Sequence, residues 1–161
     1  MVNAVFLLLV LLYPNLSTEW PTHTVCKEDN LEIDYKSCDP LQDFAFSIDS
    51  CSEISSHTLN IRAAMLLRHS INELHLKLNL IINGRSVLAY SESLCEPDHP
   101  KFLFCGKKKG EHLYYEGPVS LGNFEVPQGD YVVAVKLVNE DRLTVLCADF
   151  TIKNNQDYPF P

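Results

Sequence analysis

The chain has 161 residues, 46% of them hydrophobic and 21% charged, with a formal net charge of −8. That length suits one domain with a real core, and the balance excludes a disordered chain. The acidic excess excludes general nucleic-acid binding, which needs basic surface to displace counterions from phosphate.

Residues 1–18 read as a secretory signal peptide. Val5 to Leu12 form its apolar stretch, Pro14 ends it, and Ser17 and Thr18 supply small residues for cleavage. The stretch is too short to span a bilayer and no other segment is long enough, so no transmembrane segment is expected. Asn15-Leu16-Ser17 is a glycosylation sequon that leaves with the signal, and the mature chain carries no other.

Next come the cysteines: Cys26, Cys38, Cys51, Cys95, Cys105 and Cys147, all beyond the signal. An even count in a secreted chain implies disulfides, and the lack of Cys-x-x-Cys argues against a redox pair or a zinc knuckle. His99, between Cys95 and Cys105, fits no common zinc spacing, so no metal site is expected. Cys95 and Cys105 are the easiest local pairing, closing a short loop through Pro97 and Pro100. Spacing alone leaves the rest open.

The dominant hydrophobic period is two. "FAFSI" places Phe44, Phe46 and Ile48 on one side, and "LNIRAAM" does the same for Leu59, Ile61, Ala63 and Met65. "LHLKLNLII" is the cleanest run, with Leu74, Leu76, Leu78 and Leu80 opposite His75, Lys77 and Asn79. Strict alternation predicts half-buried antiparallel strands and outweighs the modest strand propensity of leucine. Asn83-Gly84 follows directly, then "SVLAY", which together predict a tight hairpin. One helical turn near Arg68–Asn72 is conceivable, with Ser70 as its cap, but period two wins beyond it. Phe102 and Phe104 then read as a short strand. "HLYYE" and "PVSL" read as strands parted by Gly117-Pro118, and "NFEV" as another ending at the turn Pro127-Gln128-Gly129. "YVVAVKLV" aligns Tyr131, Val133, Val135 and Leu137, and "LTVLCADFTI" closes the series with a break near Ala148-Asp149. Nine or ten strands at this spacing predict an all-β sandwich. One domain is expected over residues 19–153, with a flexible C-terminal tail at 154–161.

No enzyme is expected. The chain lacks G-x-S-x-G, H-E-x-x-H, P-loop and G-x-G-x-x-G patterns, and disulfide bonding accounts for its cysteines better than nucleophilic catalysis does. Asp39, Asp43 and Asp49 sit in turn-like settings, where carboxylates cap or solvate. The apolar faces fit either a filled sandwich core or the wall of a cavity, and composition does not separate the two. Lys107, Lys108 and Lys109 fit either a solvated turn guarding a strand edge or a cationic rim.

Four stretches, "WPTHTVC", "SCDPLQDF", "PKFLFCGKKKGE" and "YYEGPV", together resemble the ML lipid-recognition family, and the resemblance runs from about Trp20 to Ile152. It implies an immunoglobulin-like two-sheet antiparallel sandwich opened into a cup, with an apolar cavity for acyl chains. It implies the pairings Cys26–Cys51, Cys38–Cys147 and Cys95–Cys105. It also implies a secreted accessory subunit, or co-receptor, for a leucine-rich-repeat homologue of Toll-like receptors, namely the radioprotective receptor of B cells. No cofactor is implied, only a bound lipid: a phospholipid or a lipid A-type ligand. On this resemblance the cavity wall comprises Ile33, Phe46, Ile48, Ile61, Leu74, Leu76, Leu78, Leu80, Phe102, Phe104, Leu113, Val119, Leu121, Phe124, Tyr131, Val133, Val135, Phe150 and Ile152. The rim that meets the head group comprises Arg68, Arg85, Lys101, Lys107, Lys108 and Lys109. Glu92, Glu96, Asp98 and Glu111 dilute that rim, so a neutral phospholipid suits it as well as endotoxin does. A free lipid carrier and an adhesion-type sandwich with a filled core are the competing readings.

Overall fold

The computed structural model describes residues 19–55, 57–122 and 126–156. The signal segment, Phe124 and most of the "NFEV" stretch, and the end of the tail lie outside the described residues. The described residues contain ten strands: β1 His23–Glu28, β2 Leu31–Ser37, β3 Ala45–Ile48, β4 Thr58–Leu66, β5 Leu74–Ile82, β6 Arg85–Glu96, β7 His99–Pro100, β8 His112–Ser120, β9 Gly129–Asn139 and β10 Thr144–Asn154. The described residues contain no α-helix, only a 3₁₀ turn at Cys51–Ser55 that the sequence reading does not foresee. Residues 68–72 are bends and irregular backbone without the helical turn considered for them.

The strands form two antiparallel sheets. The larger runs β1-β2-β10-β9-β5-β6-β7 and the smaller β3-β4-β8. Alternation sets the register in both. Leu76, Leu78 and Leu80 of β5 stand opposite Leu137, Val135 and Val133 of β9. Phe150 and Ile152 of β10 stand opposite Tyr35 and Ile33 of β2. In the small sheet, Leu59, Ala63 and Met65 of β4 meet Val119, Tyr115 and Leu113 of β8. Each partner set lies on one face, so the two sheets turn continuous apolar surfaces toward each other. The Asn83-Gly84 hairpin forms as predicted, with φ of 50° and 73°, the left-handed pair that a type I′ turn requires.

Several strands differ from the sequence reading. β8 passes through Gly117-Pro118 without a break. It is an outer strand of the small sheet, so the N–H that proline lacks can fall on the unpaired side. β10 likewise runs unbroken through Ala148-Asp149, and its irregularity is a bulge between Thr144 and Leu146. It also continues to Asn154, beyond the expected domain end. Asn154 is buried, its Nδ2 donates to Pro127 O at 3.0 Å, and Asn155 N donates to Asn30 O at 2.9 Å. Residues 101–106 form turns and not a strand, closed by Cys105 N donating to Phe102 O at 3.1 Å.

Candidate functional site

The two sheets are fastened along one edge. Cys26 of β1 bonds to Cys51 just after β3, with Cα atoms 5.7 Å apart. His23 Nε2 lies 2.7 Å from Asp43 Oδ2. Tyr35 reaches from β2 to the small sheet, where its hydroxyl donates to Phe44 O at 2.9 Å and accepts from Phe46 N at 3.1 Å. Its ring lies 5.0 to 5.9 Å from the rings of Phe44, Phe46 and Phe150, a shared aromatic seam. On the opposite edge stand β6 and β8, and among the described residues no hydrogen bond or ion pair joins them. That side is open.

The packed core divides in two. Met65, Leu67, Ile71, Leu74, Cys95, Phe104, Leu113 and Val145 form a plug at one end. Cys26, Leu31, Ile33 and Ile54 form a second cluster, joined by Ile48, Leu59, Phe150 and Ile152. Between them lie Ile61, Leu76, Leu78, Val133 and Val135. All five face the gap between the sheets, belong to neither cluster and stay partly accessible. Inward apolar residues of a filled sandwich are normally packed to crystal density, so their accessibility marks a hollow. It opens between the β5–β6 hairpin and the far end of β8, where Val119 and Leu121 are also half-buried.

The expected wall residues therefore divide by position. Leu76, Leu78, Ile61, Val133, Val135, Val119 and Leu121 border the hollow, and Leu80 and Tyr131 lie beside them, nearly buried. Phe46, Ile48, Phe150, Ile152 and Ile33 belong to the fastened side. Leu74, Phe104 and Leu113 are fully packed in the plug, with Phe102 against it. The Phe102 and Phe104 rings stack at 5.0 Å and both meet Tyr115 edge-on.

The expected rim divides too. Arg85 begins β6 at the open side. Lys101 flanks the far end of β6, donating to Ser93 O at 3.3 Å. Arg68 is not at the rim. It pairs with the buried Asp39 carboxylate and donates from Nε to Gln42 Oε1 at 3.0 Å. The lysine run also lies away from the opening. Ile71 N donates to Lys107 O at 3.0 Å, Gly106 N to Ile71 O at 2.9 Å and Gly110 N to Leu67 O at 2.8 Å, which stitch the loop to the plugged end. Cys95 is fully buried in the plug with Cys105 against it. The other two bridges are Cys38–Cys147, with Cα atoms 5.1 Å apart, and Cys26–Cys51 described above.

A depression of about 470 Å³ lies on the outer face of β2 and β10, beside Trp20. Asp34, Lys36, Asp39 and Asp149 line it, too polar a set for acyl chains. No group of three or more possible metal ligands occurs among the described residues.

A fastened edge, an open edge and two end clusters around an accessible apolar interior define a β-cup of the binding-protein class. The chain belongs to the ML-domain family, whose model matches residues 21–154, and it is a binding protein and not an enzyme. It is 67% identical to lymphocyte antigen 86 of Gallus gallus over 97% of this chain and 98% of that one. It is 50% identical to lymphocyte antigen 86 of Mus musculus, over 84% of each chain. The corresponding human protein is 47% identical over 93% of this chain and 96% of its own. A crystal structure of chicken MD-1 complexed with lipid IVa is 68% identical, superposes with a TM-score of 0.83, and covers 86% of this chain and 100% of that one.

Proposed function

We propose that this protein holds the acyl chains of a phospholipid or lipid A-type ligand in the hollow between its sheets. The observation that carries this reading is the band Ile61, Leu76, Leu78, Val133 and Val135, apolar, inward and still accessible. The chicken relative complexed with lipid IVa supports it. Each methylene withdrawn from water contributes about 0.8 kcal/mol, so a few chains suffice for tight binding without a covalent step. Arg85 and Lys101 are the cations placed to meet a head group. No helix among the described residues is long and apolar enough to cross a membrane. Residues 1–18 direct secretion, and the protein acts at the cell surface as the accessory subunit of the radioprotective leucine-rich-repeat receptor, modulating the response to endotoxin.

Solvent extraction of purified protein followed by mass spectrometry is expected to release lipid. Leu78→Lys puts a charge in the middle of the apolar band and is expected to abolish uptake of a fluorescent acyl probe while the β-sheet circular dichroism persists. Undiminished uptake by the folded variant rejects the cavity. Co-secretion with the receptor ectodomain tests the accessory role, and vesicle-to-vesicle lipid transfer without receptor binding would favour a free carrier.

A further inference from the structure

β6 spans twelve residues and pairs with β5 along its length, but on its other side only Cys95 and Glu96 are covered, by the two residues of β7. The stretch Arg85–Glu92 has no strand on that side, and just beyond it Lys101 Nζ donates to Ser93 O at 3.3 Å. Open edges are ordinarily guarded by lysine, proline, a bulge, inward-pointing charges or brevity. From Arg85 to Leu94 it carries no lysine or proline, only a bulge at Val87 and the inward charges Arg85 and Glu92, and Val87, Leu88 and Tyr90 are 55%, 47% and 50% exposed on it.

The sequence of this edge is complementary to itself. Opposite β5, Leu88 stands at Leu80 and Ser86 at Ile81, so Val87 is the extra residue of a bulge and adds no advance along the strand. Arg85 and Glu92 consequently lie equally far from Ala89. They also share a face, the inward one, because Arg85 is opposite Ile82, Leu88 opposite Leu80, Tyr90 opposite Leu78 and Glu92 opposite Leu76. A twofold axis through Ala89 sets Leu88 against the partner's Tyr90, Ser86 against the partner's Ser91 and Arg85 against the partner's Glu92, each twice. Arg85 has no carboxylate partner among the described residues, whereas Glu92 accepts from Tyr90 at 2.9 Å and lies 4.0 Å from Lys101. The outward side chains Ala89, Ser91 and Ser93 are small and leave room for the approach. The ladder ends at Glu92, before β7 begins to cover the edge.

We propose that β6 pairs antiparallel with β6 of a second copy of this chain, joining the two large sheets into one and setting the two cup openings side by side. Sedimentation velocity of the purified full chain over a concentration series is expected to show a monomer–dimer equilibrium. Arg85→Glu and Glu92→Arg, each alone, oppose like charges twice and are expected to weaken the dimer about tenfold, while the double reversal restores it. Ala89→Cys is expected to give a disulfide-linked dimer under mild oxidation, since all six native cysteines are bridged and the added thiol is the one available. A monomer at every concentration overturns the proposal. So does a dimer that Ala89→Cys fails to trap, or one that tracks neither charge reversal. No lipid is needed for any of these measurements, so their outcome is separate from that of the acyl-binding test.

Discussion

Tyr35 ties the two sheets through one side chain. It is 3% exposed, donates to one strand's carbonyl and accepts from its amide, so both neighbours lose a partner when it goes. Tyr35→Phe keeps the ring and removes the hydroxyl, and denaturant unfolding is expected to show a loss of about 1–2 kcal/mol. Burial, partly offset by the Phe46 hydrogen bond, pushes its phenol above the ordinary tyrosine value. Its unfolded form ionises near pH 10 while the folded form still holds its proton, so the associated stability is present below about pH 10 and lost as pH rises beyond it. Alkaline unfolding followed by phenolate absorbance checks this, and Tyr35→Phe is expected to flatten that decline. The sequence reading takes only Ile33 from β2, although Leu31, Ile33, Tyr35 and Ser37 alternate as regularly as the leucines of β5. Asn139 is a similar case. Its amide donates to Ser70 O at 2.9 Å and accepts from the amides of Asp141 and Leu143, which organises the β9–β10 turn from a buried position. A lone asparagine gives no sign of such a role, because the Ser70 carbonyl that takes its amide lies 69 residues away in sequence.

At the scale of elements, local chemistry decided most of what was readable. The β5–β6 hairpin depends on Asn83 and Gly84 in left-handed conformations, and Gly84 has φ of 73° with open space around its missing Cβ. Gly84→Val therefore meets backbone strain and no clash, and is expected to lower stability by about 1–2 kcal/mol in thermal unfolding. Residues 101–106 show where alternation misleads. Phe102 and Phe104 are spaced as in a strand, yet they stack with centroids 5.0 Å apart on turns that insert into the plug. Period two over three residues does not distinguish a strand from successive turns. The lysines after them follow the backbone bonds to Leu67 and Ile71, a link between segments that charge alone cannot reveal.

At the scale of the molecule, the asymmetry between a fastened and an open edge makes the cup. Cys26–Cys51 spans 25 residues and joins the large sheet to the segment after β3. Replacing both cysteines with alanine is expected to cost about 3 kcal/mol by chain-entropy reasoning, read as a lower denaturant midpoint. Cys95–Cys105 closes a shorter loop inside the plug, so it stabilises the solid end of the cup and does not staple the rim.

The sequence by itself determined an all-β chain, its hairpin, the inward faces of β4, β5 and β9 and, through family resemblance, that of β10 and the three bridges. Those features rest on side-chain alternation, on residues suited to positive φ, and on motifs that are contiguous in the chain. Only the tertiary structure decided that Leu74, Phe104 and Leu113 pack solid while Leu76 and Leu78 stay accessible. Likewise it alone placed Arg68 and the lysine run away from the opening and left one edge of β6 bare. Whether an inward face is filled or hollow depends on what stands opposite it on the other sheet, and that distance is set by the edge bonds and end clusters, not by any one strand's pattern.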